Sequence, residues 1–363
     1  MLNAEEIKMS VVMVAMSGGV DSAVTAHLAG FGGNTVIGAT MKLYCPGKPL
    51  HPDENGIMIT DEIENAKAVA RRLGIRHIVL DYEASFKDHV VQPFIDSYMA
   101  AKTPNPCIEC NRTLKFGAMI DAMKAHGADM MATGHYARIE RDPSGRYLLR
   151  CAADSSKDQS YVLYMLKQEQ LAHVMFPLGD YSKAEVRRIA AEMGFVNANK
   201  GDSQDICFVP DGDYAGFIER YTGMNFPAGN FINRNGDILG QHKGIIHYTI
   251  GQRKGLGIAL GKPAFVCHKD AETNAVTLSD NESLFSDTVF VEKANFIPFD
   301  SLRTPLRVCA KVRYNMKAQP AVVEQMEDNL IRLTFDQPQR AVTPGQAAVF
   351  YDDDYVVGGG IIL

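Results

Sequence analysis

The chain has 363 residues, of which 46% are hydrophobic and 22% are charged, and its formal net charge is −6. This length predicts two or three domains with sizeable cores, and the composition excludes a disordered or fibrous protein. No apolar stretch approaches the length needed to span a bilayer, and the N-terminus is polar and acidic. We therefore expect a cytoplasmic protein with no membrane partner.

The first predicted element is an apolar strand over residues 11–16, followed by Ser17-Gly-Gly-Val-Asp-Ser22 and a helix-like apolar pattern. Two adjacent glycines allow a tight turn with positive φ, and the free amides at a helix start attract an anion. The stretch therefore predicts a phosphate cradle, although it lacks the Gly-Lys-Ser/Thr ending of a Walker loop. Asp21 is expected either to cap the helix or to face a phosphate-bound Mg²⁺. A Gly-rich turn without a ligand is the simpler alternative.

Strands and helices then alternate through the first half of the chain, which predicts an α/β fold with a doubly wound parallel sheet and helices on both faces. The predicted strands lie near residues 35–43, 77–82 and 129–133, and the predicted helices near residues 60–73, 86–101 and 113–126. A hairpin is predicted to turn at Asp142-Pro-Ser-Gly145, and Ser182 with Glu185 forms the capping box of a later helix.

After a helix near residues 214–221 the pattern changes to short alternating runs broken by glycine, proline or asparagine, with a hairpin signal at Asn235-Gly236. These runs predict a small β-containing domain followed by a C-terminal β-barrel. The expected boundaries are 1–212 for the catalytic α/β domain, 213–282 for the central domain and 283–363 for the barrel.

Seven cysteines in a chain of this length favour thiol chemistry or metal binding over a disulfide framework. Thr103-Pro-Asn-Pro-Cys-Ile-Glu-Cys-Asn111 lies between two predicted helices, so Cys110 is expected near a helix start, where amide dipoles favour the thiolate. A Cys-x-x-Cys pair is typical of a redox pair, half of a zinc site or part of an iron–sulfur site. Structural zinc is disfavoured because no second pair follows at short spacing.

Cys207 lies in the polar segment Gly201-Asp-Ser-Gln-Asp-Ile-Cys-Phe208, where it is poorly placed as a core residue. In contrast, Cys151, Cys267 and Cys309 occur in strand-like alternation and are expected to be small buried side chains. Cys45 follows a predicted strand near the expected nucleotide end of the sheet, and its role stays open.

The distribution of charge is more informative than its sum. Residues 239–262 and 301–320 contain no acid and carry these cations: Lys243, Arg253, Lys254, Lys262, Arg303, Arg307, Lys311, Arg313 and Lys317. Such windows indicate either a surface that faces a polyanion or an ordinary solvated basic face.

The loop at Ser17–Ser22 resembles the signature of the PP-loop ATP pyrophosphatases, which split ATP between its α and β phosphates. Further motifs follow in one order over residues 11–362: Asn105-Pro-Cys-x-x-Cys-Asn111, Ala132-Thr-Gly-His-Tyr136, Lys157-Asp-Gln-Ser-Tyr161, Asp202-Ser-x-x-Ile-Cys-Phe208, Gly251-Gln-Arg-Lys-Gly-Leu-Gly257 and Thr343-Pro-Gly-Gln346. Together they resemble the tRNA-specific 2-thiouridylase family, whose members thiolate the wobble uridine, position 34, of certain tRNAs.

This resemblance implies roles for individual residues. The residues implied to bind ATP are Ala15, Met16, Ser17, Gly18, Gly19, Val20, Asp21, Ser22, Met41 and Gly134. Those implied to contact tRNA are Asn105, Pro106, Cys107, His135, Lys157, Asp158, Gln159, Arg313, Tyr314 and Gln346. Cys110 corresponds to the family's nucleophile, and Cys207 to the cysteine that carries a persulfide.

The implied reaction is adenylation of the uracil C2 oxygen by ATP with Mg²⁺, then displacement of AMP by sulfur from the Cys207 persulfide, with a transient disulfide between Cys110 and Cys207. Cys107 occupies a position where some members carry an aspartate, a proposed general acid/base, so its proton role stays open. With Cys110 and Cys207 it could instead hold a [4Fe-4S] cluster. The persulfide route is favoured because three cysteines are one ligand short of a closed cluster. The implied sulfur source is a relay protein or a cysteine desulfurase.

Two other functions remain compatible with parts of the sequence. Another PP-loop synthetase acting on a small carbonyl substrate would share the phosphate loop, yet would need neither Cys110 nor Cys207. A non-catalytic RNA-binding protein with structural ATP would tolerate the loss of Cys207.

Overall fold

The computed structural model describes residues 9–198, 201, 205–327 and 330–363. Part of the predicted Asp202–Phe208 motif, residues 202–204, lies outside this range. The helices are α1 Val20–Ala29, α2 Asp61–Leu73, α3 Glu83–Phe86, α4 Gln92–Met99, α5 Pro106–Cys110, α6 Met119–Ala125, α7 Gln168–Leu171, α8 Lys183–Glu192 and α9 Tyr214–Thr222, with π-helical segments at Lys87–Val91 and Asn111–Ala118. Within the described residues, no helix has the length and apolarity that a membrane crossing requires.

Short strands and hairpins make up much of the remaining chain. The strands are β1 Val11–Ala15, β2 Thr35–Lys42, β3 His51–Pro52, β4 Met58–Ile59, β5 Arg76–Asp81, β6 Met130–Ala132, β7 Ala137–Arg141, β8 Tyr147–Cys151, β9 Val174–Met175, β10 Gly229–Ile232, β11 Ile238–His242, β12 Phe265–Asp270, β13 Ala275–Ser279, β14 Phe285–Phe296, β15 Leu306–Lys311, β16 Gln319–Glu327, β17 Leu330–Arg340, β18 Ala347–Asp352 and β19 Tyr355–Ile362.

The chain divides into two compact units, each made of more than one stretch of sequence. The described residues of the first unit fall within Met1–His89, Cys107–Phe208 and Asp354–Val356. Those of the second fall within Val90–Pro106, Val209–Asp353 and Val357–Leu363.

The first unit contains a parallel sheet with the strand order β5-β2-β1-β6-β9, which confirms the predicted doubly wound fold. Its central strand β1 is apolar throughout because helices cover both faces, and Val12, Met13 and Val14 are at most 1% exposed. The strand order reverses at β1, since β2 lies on one side of it and β6 on the other. Ligands of such sheets bind at the carboxyl ends of the strands at this switch point, which is where the predicted phosphate loop lies.

Local turn and capping signals in the first unit are confirmed. Strands β7 and β8 form the predicted hairpin, in which Gly145 adopts a φ of +91°. Ser182 caps α8, because its side chain accepts a hydrogen bond from the Glu185 N–H while the Glu185 carboxylate accepts one from the Ser182 N–H.

One predicted helix start is wrong. The helix expected from residue 113 already begins at Pro106 and continues through α5, the π-helical segment and α6. Proline suits a first helical position because its missing N–H would have no intrahelical partner there. Cys107 and Cys110 therefore lie inside the helix, three residues apart on neighbouring positions of one face.

The second unit contains the two predicted β structures. One is a four-stranded sheet of order β11-β10-β13-β12, whose β10–β11 hairpin turns at Asn235-Gly236 as predicted. The other is an antiparallel barrel of order β14-β17-β16-β15-β18-β19, closed by pairing of β14 with β19. Side chains such as Val291, Ile331 and Phe350 fill its interior and are fully buried, so the predicted C-terminal β-barrel is confirmed.

Lys269 on β12 is an unusual buried cation that makes the stability of the second unit depend on pH. It is 6% exposed, its ammonium has no hydrogen-bond partner among the described residues, and it lies 5.9 Å from the Tyr98 ring centre. Burial lowers the pKa of Lys269 to about 8. The unfolded chain holds this proton more tightly than the folded protein does. Burial of the charged ammonium therefore destabilises the fold fully below pH 8, and this destabilisation disappears as the pH rises towards 10.5, the pKa of Lys269 in the unfolded chain.

We therefore expect Lys269→Met to raise the free energy of unfolding by roughly 2–3 kcal/mol at pH 7, and by progressively less between pH 8 and 10. Urea unfolding at several pH values checks this expectation. Lys254→Met, at an exposed position, is the matched control and should change the free energy of unfolding by less than about 0.5 kcal/mol at every pH. A gain in the free energy of unfolding of Lys269→Met that does not vary with pH would contradict the lowered pKa of Lys269.

Candidate functional site

The loop after β1 has a fixed conformation that leaves helix amides available for a ligand. Gly18 adopts a φ of +74°, and a Cβ there would lie 2.1 Å from the Glu62 carbonyl oxygen, so only glycine fits. Gly19 is the N-cap of α1 and provides no side-chain cap. The Ser22 hydroxyl donates to the Gly19 carbonyl at 3.0 Å and accepts from the Ser17 N–H at 3.1 Å. The first-turn amides of α1 therefore have no capping side chain, and an anion can bind there.

A second glycine approaches this loop from the next strand of the sheet. A Cβ on Gly134, which follows β6, would lie 3.1 Å from the Ser22 backbone nitrogen and 3.1 Å from the Asp21 carbonyl carbon. Gly134 is thus at the switch point beside the loop, where the sequence predicted a nucleotide contact. The remaining predicted ATP residues lie nearby along the sheet, with Ala15 ending β1 and Met41 next to the end of β2.

Asp21 is held by two partners that the sequence did not reveal. Its carboxylate accepts two hydrogen bonds from the Lys183 ammonium, at 2.7 and 2.8 Å, and one from the Tyr136 hydroxyl at 2.8 Å. Because Asp21 lies within the first turn of α1 and Gly19 is the N-cap, the alternative that Asp21 caps the helix is wrong. Asn197, another unpredicted residue, donates to the Gly18 carbonyl at 3.1 Å. The capping box at Ser182 places Lys183 at a helix start but does not indicate which carboxylate it meets.

The Lys183–Asp21 pair should contribute measurably to the stability of the first unit, because the two side chains are only 12% and 32% exposed. We expect Lys183→Met to lower the free energy of unfolding by about 1–2 kcal/mol, since it leaves a half-buried carboxylate without its cation. Arg188→Met removes a cation from the same helix, but its pair with Glu192 is exposed, and its effect should stay below about 0.5 kcal/mol. Urea unfolding of both variants makes the comparison, and equal effects would contradict a special role for Lys183.

Three of the cysteines singled out from the sequence come together in the first unit. The Cys207 pKa is raised to about 12, chiefly by burial of its thiol and then by the charges of Cys110, Cys45 and Cys107. Burial likewise raises the pKa of Cys107, and that of Cys110 to about 11. The expectation that helix dipoles favour a Cys110 thiolate is therefore wrong: Cys110 is the fifth residue of the helix, only 8% exposed, and desolvation dominates.

Lys115, which was not among the predicted site residues, is the cation that opposes this desolvation. Its charge lowers the pKa of Cys107, Cys110 and Cys207. Lys115 lies five residues after Cys110 in the π-helical segment, where the i to i+5 repeat brings such positions to the same side. A π-helical turn cannot be predicted from apolar periodicity, so nothing in the sequence indicates that Lys115 lies near the cysteines.

All seven cysteines are reduced thiols in the structure. Among the described residues, which include Cys107, Cys110 and Cys207, no group of three or more His, Cys, Asp or Glu side chains is arranged to hold a metal ion. The three thiols as placed therefore do not fit the predicted [4Fe-4S] alternative. Cys151, Cys267 and Cys309 lie in strands as predicted, but they are half-buried rather than fully buried.

Several first-unit residues that were predicted to contact tRNA make hydrogen bonds within their own part of the chain. His135 is 8% exposed, its ring nitrogen is 2.7 Å from the Thr133 hydroxyl, and burial keeps its pKa well below the usual value. The Gln159 side-chain oxygen accepts from the Tyr136 N–H at 3.0 Å, and the Asp158 carboxylate accepts from the Ser160 hydroxyl at 2.8 Å. Lys157 is half-buried. These contacts order the segment, and direct binding to tRNA stays a prediction.

The second-unit residues with the same predicted role fall into one connected group. The Gln346 amide donates to the Thr103 carbonyl at 2.7 Å, which fixes the chain just before Asn105 and Pro106. The Arg313 guanidinium donates to the Ala341 carbonyl at 2.8 Å and to the Thr343 hydroxyl at 2.6 Å, whereas Tyr314 is 38% exposed.

The two basic windows, both in the second unit, differ in exposure. In the first, all four cations are exposed, and all four lie between β11 and β12. In the second, Arg307 is paired with Asp336 and Lys311 lies over the Tyr351 ring at 5.2 Å. Arg303 and Lys317 of the second window are also exposed, so both windows keep positive charge that is available to a polyanion.

Three family models match consecutive parts of the chain. A model described as tRNA methyl transferase HUP domain matches residues 10–211, one described as tRNA methyl transferase PRC-barrel domain matches residues 215–280, and one described as aminomethyltransferase β-barrel domain matches residues 286–362.

Several relatives match the chain over nearly its full length. The tRNA-specific 2-thiouridylase MnmA of Clostridioides difficile is 49% identical over 352 residues, which cover 97% of each chain. The protein of the same name from Lachnoclostridium phytofermentans is 48% identical over 356 residues, covering 98% of this chain and 100% of its own. Among solved structures, the U34-tRNA thiolase NcsA from Methanococcus maripaludis with its [4Fe-4S] cluster covers 60% of this chain and 65% of its own, at 18% identity and a TM-score of 0.36. A likeness this low supports no conclusion about cofactor or activity.

Proposed function

Because the chain belongs to the tRNA-specific 2-thiouridylase family, we propose that it converts the wobble uridine of tRNA, at position 34, to 2-thiouridine in an ATP-dependent reaction. The observation that carries this proposal is the meeting of Cys110 and Cys207, far apart in sequence, in the unit that also holds the phosphate loop. An adenylating enzyme without sulfur chemistry would not need these thiols. The chain is therefore an enzyme of the sulfurtransferase class.

The phosphate loop serves the first step, in which MgATP converts the uracil C2 oxygen, a poor leaving group, into a good one. The C2 oxygen of the uracil attacks the α phosphate, the bond to the β phosphate breaks, and pyrophosphate leaves. The loop Ala15–Ser22 binds the leaving phosphates through the first-turn amides of α1, with Met41 and Gly134 beside the nucleotide. Asp21 faces the phosphate-bound Mg²⁺, and Lys183 holds the carboxylate in place until MgATP binds.

The cysteines serve the second step, in which sulfur replaces the adenylated oxygen. Cys207 carries the persulfide. Either its terminal sulfur attacks C2 and expels AMP, after which Cys110 attacks the Cys207 sulfur and releases the thiocarbonyl, or Cys110 first attacks the persulfide and releases sulfide as the nucleophile. Both routes end with 2-thiouridine, AMP and a transient Cys110–Cys207 disulfide, and a thiol reductant then restores the enzyme.

Burial raises the pKa values of the three thiols, so each of them must lose its proton before it can act as a nucleophile. Lys115 provides the positive charge that favours each anion as it forms. The proton role of Cys107 is assigned to no step. Because the described cysteines do not fit a metal site, no step is routed through an iron–sulfur cluster.

The proposed tRNA contacts are the residues that the family resemblance implies. Asn105, Pro106 and Cys107 border the target uridine, which must leave its stack at a cost of a few kcal/mol, less in an anticodon loop. The other contacts are His135, Lys157, Asp158, Gln159, Arg313, Tyr314 and Gln346. The exposed basic loop between β11 and β12 adds sequence-independent attraction to the phosphate backbone.

The proposal also includes the domain organisation of the chain and the source of the sulfur. The domain division 1–212, 213–282 and 283–363 is supported by the ranges of the three matching family models. A persulfide-carrying relay protein or a cysteine desulfurase supplies the sulfur, since the enzyme starts each cycle from a reduced Cys207.

A reconstituted reaction tests the proposed function. The purified protein is incubated with ATP, Mg²⁺, a cysteine desulfurase with cysteine as sulfur donor, and unmodified tRNA, and the tRNA is then digested and analysed for 2-thiouridine. We expect 2-thiouridine in stoichiometric ratio to AMP and only with a tRNA that has uridine at position 34. Release of AMP without 2-thiouridine would favour another adenylating synthetase, and neither product would favour a non-catalytic RNA-binding protein.

A further inference from the structure

A buried asparagine contacts the phosphate loop and has no role in the reaction steps above. Asn197 is 3% exposed, and its Nδ2 donates a hydrogen bond to the Gly18 carbonyl oxygen at 3.1 Å. Asn197 follows α8, whereas Gly18 lies in the loop between β1 and α1, so the two residues are 179 positions apart in the sequence. They meet only in the folded unit, and no sequence motif connects them.

The end of α8 fixes the position of Asn197. The chain turns after this helix in a Schellman motif, in which the Gly194 and Phe195 N–H groups each donate to a carbonyl of the last helical turn at 3.0 Å. Gly194 adopts the φ of +66° that this motif requires. Phe195 is 5% exposed and belongs to the same core as Val20, the first residue of α1. Asn197 is therefore held beside the loop by backbone and core contacts of its own segment.

Packing alone does not explain an asparagine at this position. The Asn197 Oδ1 atom is buried and has no hydrogen-bond partner among the described residues. A buried amide oxygen without a donor destabilises the fold, whereas leucine has a similar branched shape and no polar atom to satisfy. The useful part of the Asn197 side chain is therefore its donor, which holds the Gly18 carbonyl.

This hydrogen bond determines the orientation of the peptide group between the two loop glycines. The Gly18 carbonyl and the Gly19 N–H belong to one trans peptide group, so they point in opposite directions. Neither glycine has a Cβ that would oppose rotation of this peptide group. With the Gly18 carbonyl bound to Asn197, the Gly19 N–H points away from Asn197.

We propose that Asn197 is a positioning residue for the adenylation step, which holds the Gly18–Gly19 peptide so that the Gly19 N–H faces the phosphates of ATP. A donor that is already oriented does not have to reorganise when the nucleotide binds, and the nucleotide binds more tightly as a result. Asn197 acts through the Gly18 carbonyl and does not touch the nucleotide. This inference rests on the proposed function, because that function places ATP at the loop.

Nucleotide binding in the absence of tRNA tests the proposal. The probe is α,β-methylene-ATP with Mg²⁺, whose α–β linkage cannot be cleaved, and isothermal titration calorimetry gives its Kd. We expect Asn197→Leu to raise this Kd about tenfold. The midpoint of urea unfolding should be at least as high as in the unaltered protein, because the variant no longer buries an unpaired amide oxygen. A lower midpoint with an unaltered Kd would overturn the proposal, because Asn197 would then only stabilise the fold.

Asn197→Asp separates the hydrogen bond from the shape of the side chain. A protonated carboxyl group donates to the Gly18 carbonyl and a carboxylate does not, and burial raises the pKa of a carboxyl group. The Kd of Asn197→Asp relative to the unaltered protein should therefore fall from about tenfold or more at pH 8 towards equality at pH 5.5. The same ratio for Asn197→Leu should stay constant. A ratio for Asn197→Asp that does not vary with pH would overturn the proposal.

Asn34→Ala is the matched control, because the Asn34 amide also donates to a backbone carbonyl, that of Ala29, at 3.1 Å, but it precedes β2 at the opposite edge of the sheet. It should leave the Kd for α,β-methylene-ATP unchanged, and an increase equal to that of Asn197→Leu would overturn the proposal. If the unaltered protein binds the probe and Asn197→Leu binds it equally well, only the role of Asn197 fails. If the unaltered protein does not bind the probe, the proposed function fails as well.

Discussion

Replacing Cys207 by alanine is expected to lower 2-thiouridine formation by at least about 1,000-fold, because the variant has no sulfur atom on which to carry the persulfide. The phosphate loop is unchanged in this variant, so the pyrophosphate released in the first turnover should match that of the unaltered protein. Quantification of 2-thiouridine by mass spectrometry and of pyrophosphate by rapid quench gives both values.

Cys309→Ala is the matched control, since it removes a thiol from the barrel strand β15. It should leave both products unchanged. Full thiolation activity in Cys207→Ala would remove Cys207 from the mechanism. Loss of pyrophosphate release in the same variant would show that the substitution damages the phosphate loop, and the variant could then not support a sulfur-carrier role.

Replacing Asp21 by alanine should abolish the adenylation step while tRNA still binds. The carboxylate lies in the first turn of α1, whose amides we propose bind the phosphates, and its loss removes the group that we propose faces Mg²⁺. We expect AMP and pyrophosphate formation to fall by about 100-fold or more. The Kd for tRNA should change less than about twofold, because phosphate contacts from basic side chains dominate that affinity.

Asp211→Ala is a suitable control because Asp211 is an exposed acid in an ion pair with Arg220. Filter binding measures the tRNA affinity of both variants at one fixed salt concentration. Substantial AMP release by Asp21→Ala would contradict the assignment of Asp21 to the nucleotide site. A parallel loss of tRNA binding would contradict the separation of the two binding functions.

Features that depend on local geometry could be predicted from the sequence. The order of strands and helices, the phosphate loop with its two glycines, the capping box at Ser182 and the hairpin at Asn235-Gly236 all follow from spacing within a few residues. The barrel followed from short alternating runs. Each of these signals reflects backbone conformation that the sequence determines over one turn or one strand.

Features that depend on tertiary contacts could not be predicted. Asp21 meets Lys183 and Tyr136 only after the sheet has formed, and no periodicity connects these positions. The prediction of a thiolate at Cys110 was wrong because the helix starts at Pro106. The Cys110 side chain therefore lies within the helix, where loss of contact with water raises its pKa and no helix N-terminus stabilises the thiolate.

The fate of the uridine C2 oxygen tests the adenylation step directly. A tRNA substrate is prepared with ¹⁸O at C2 of the wobble uridine and reacted to completion, and the AMP is analysed by mass spectrometry. We expect one ¹⁸O atom in AMP for each 2-thiouridine formed, because the oxygen that attacks the α phosphate leaves with it. Unlabelled AMP accompanied by 2-thiouridine would contradict adenylation of the C2 oxygen.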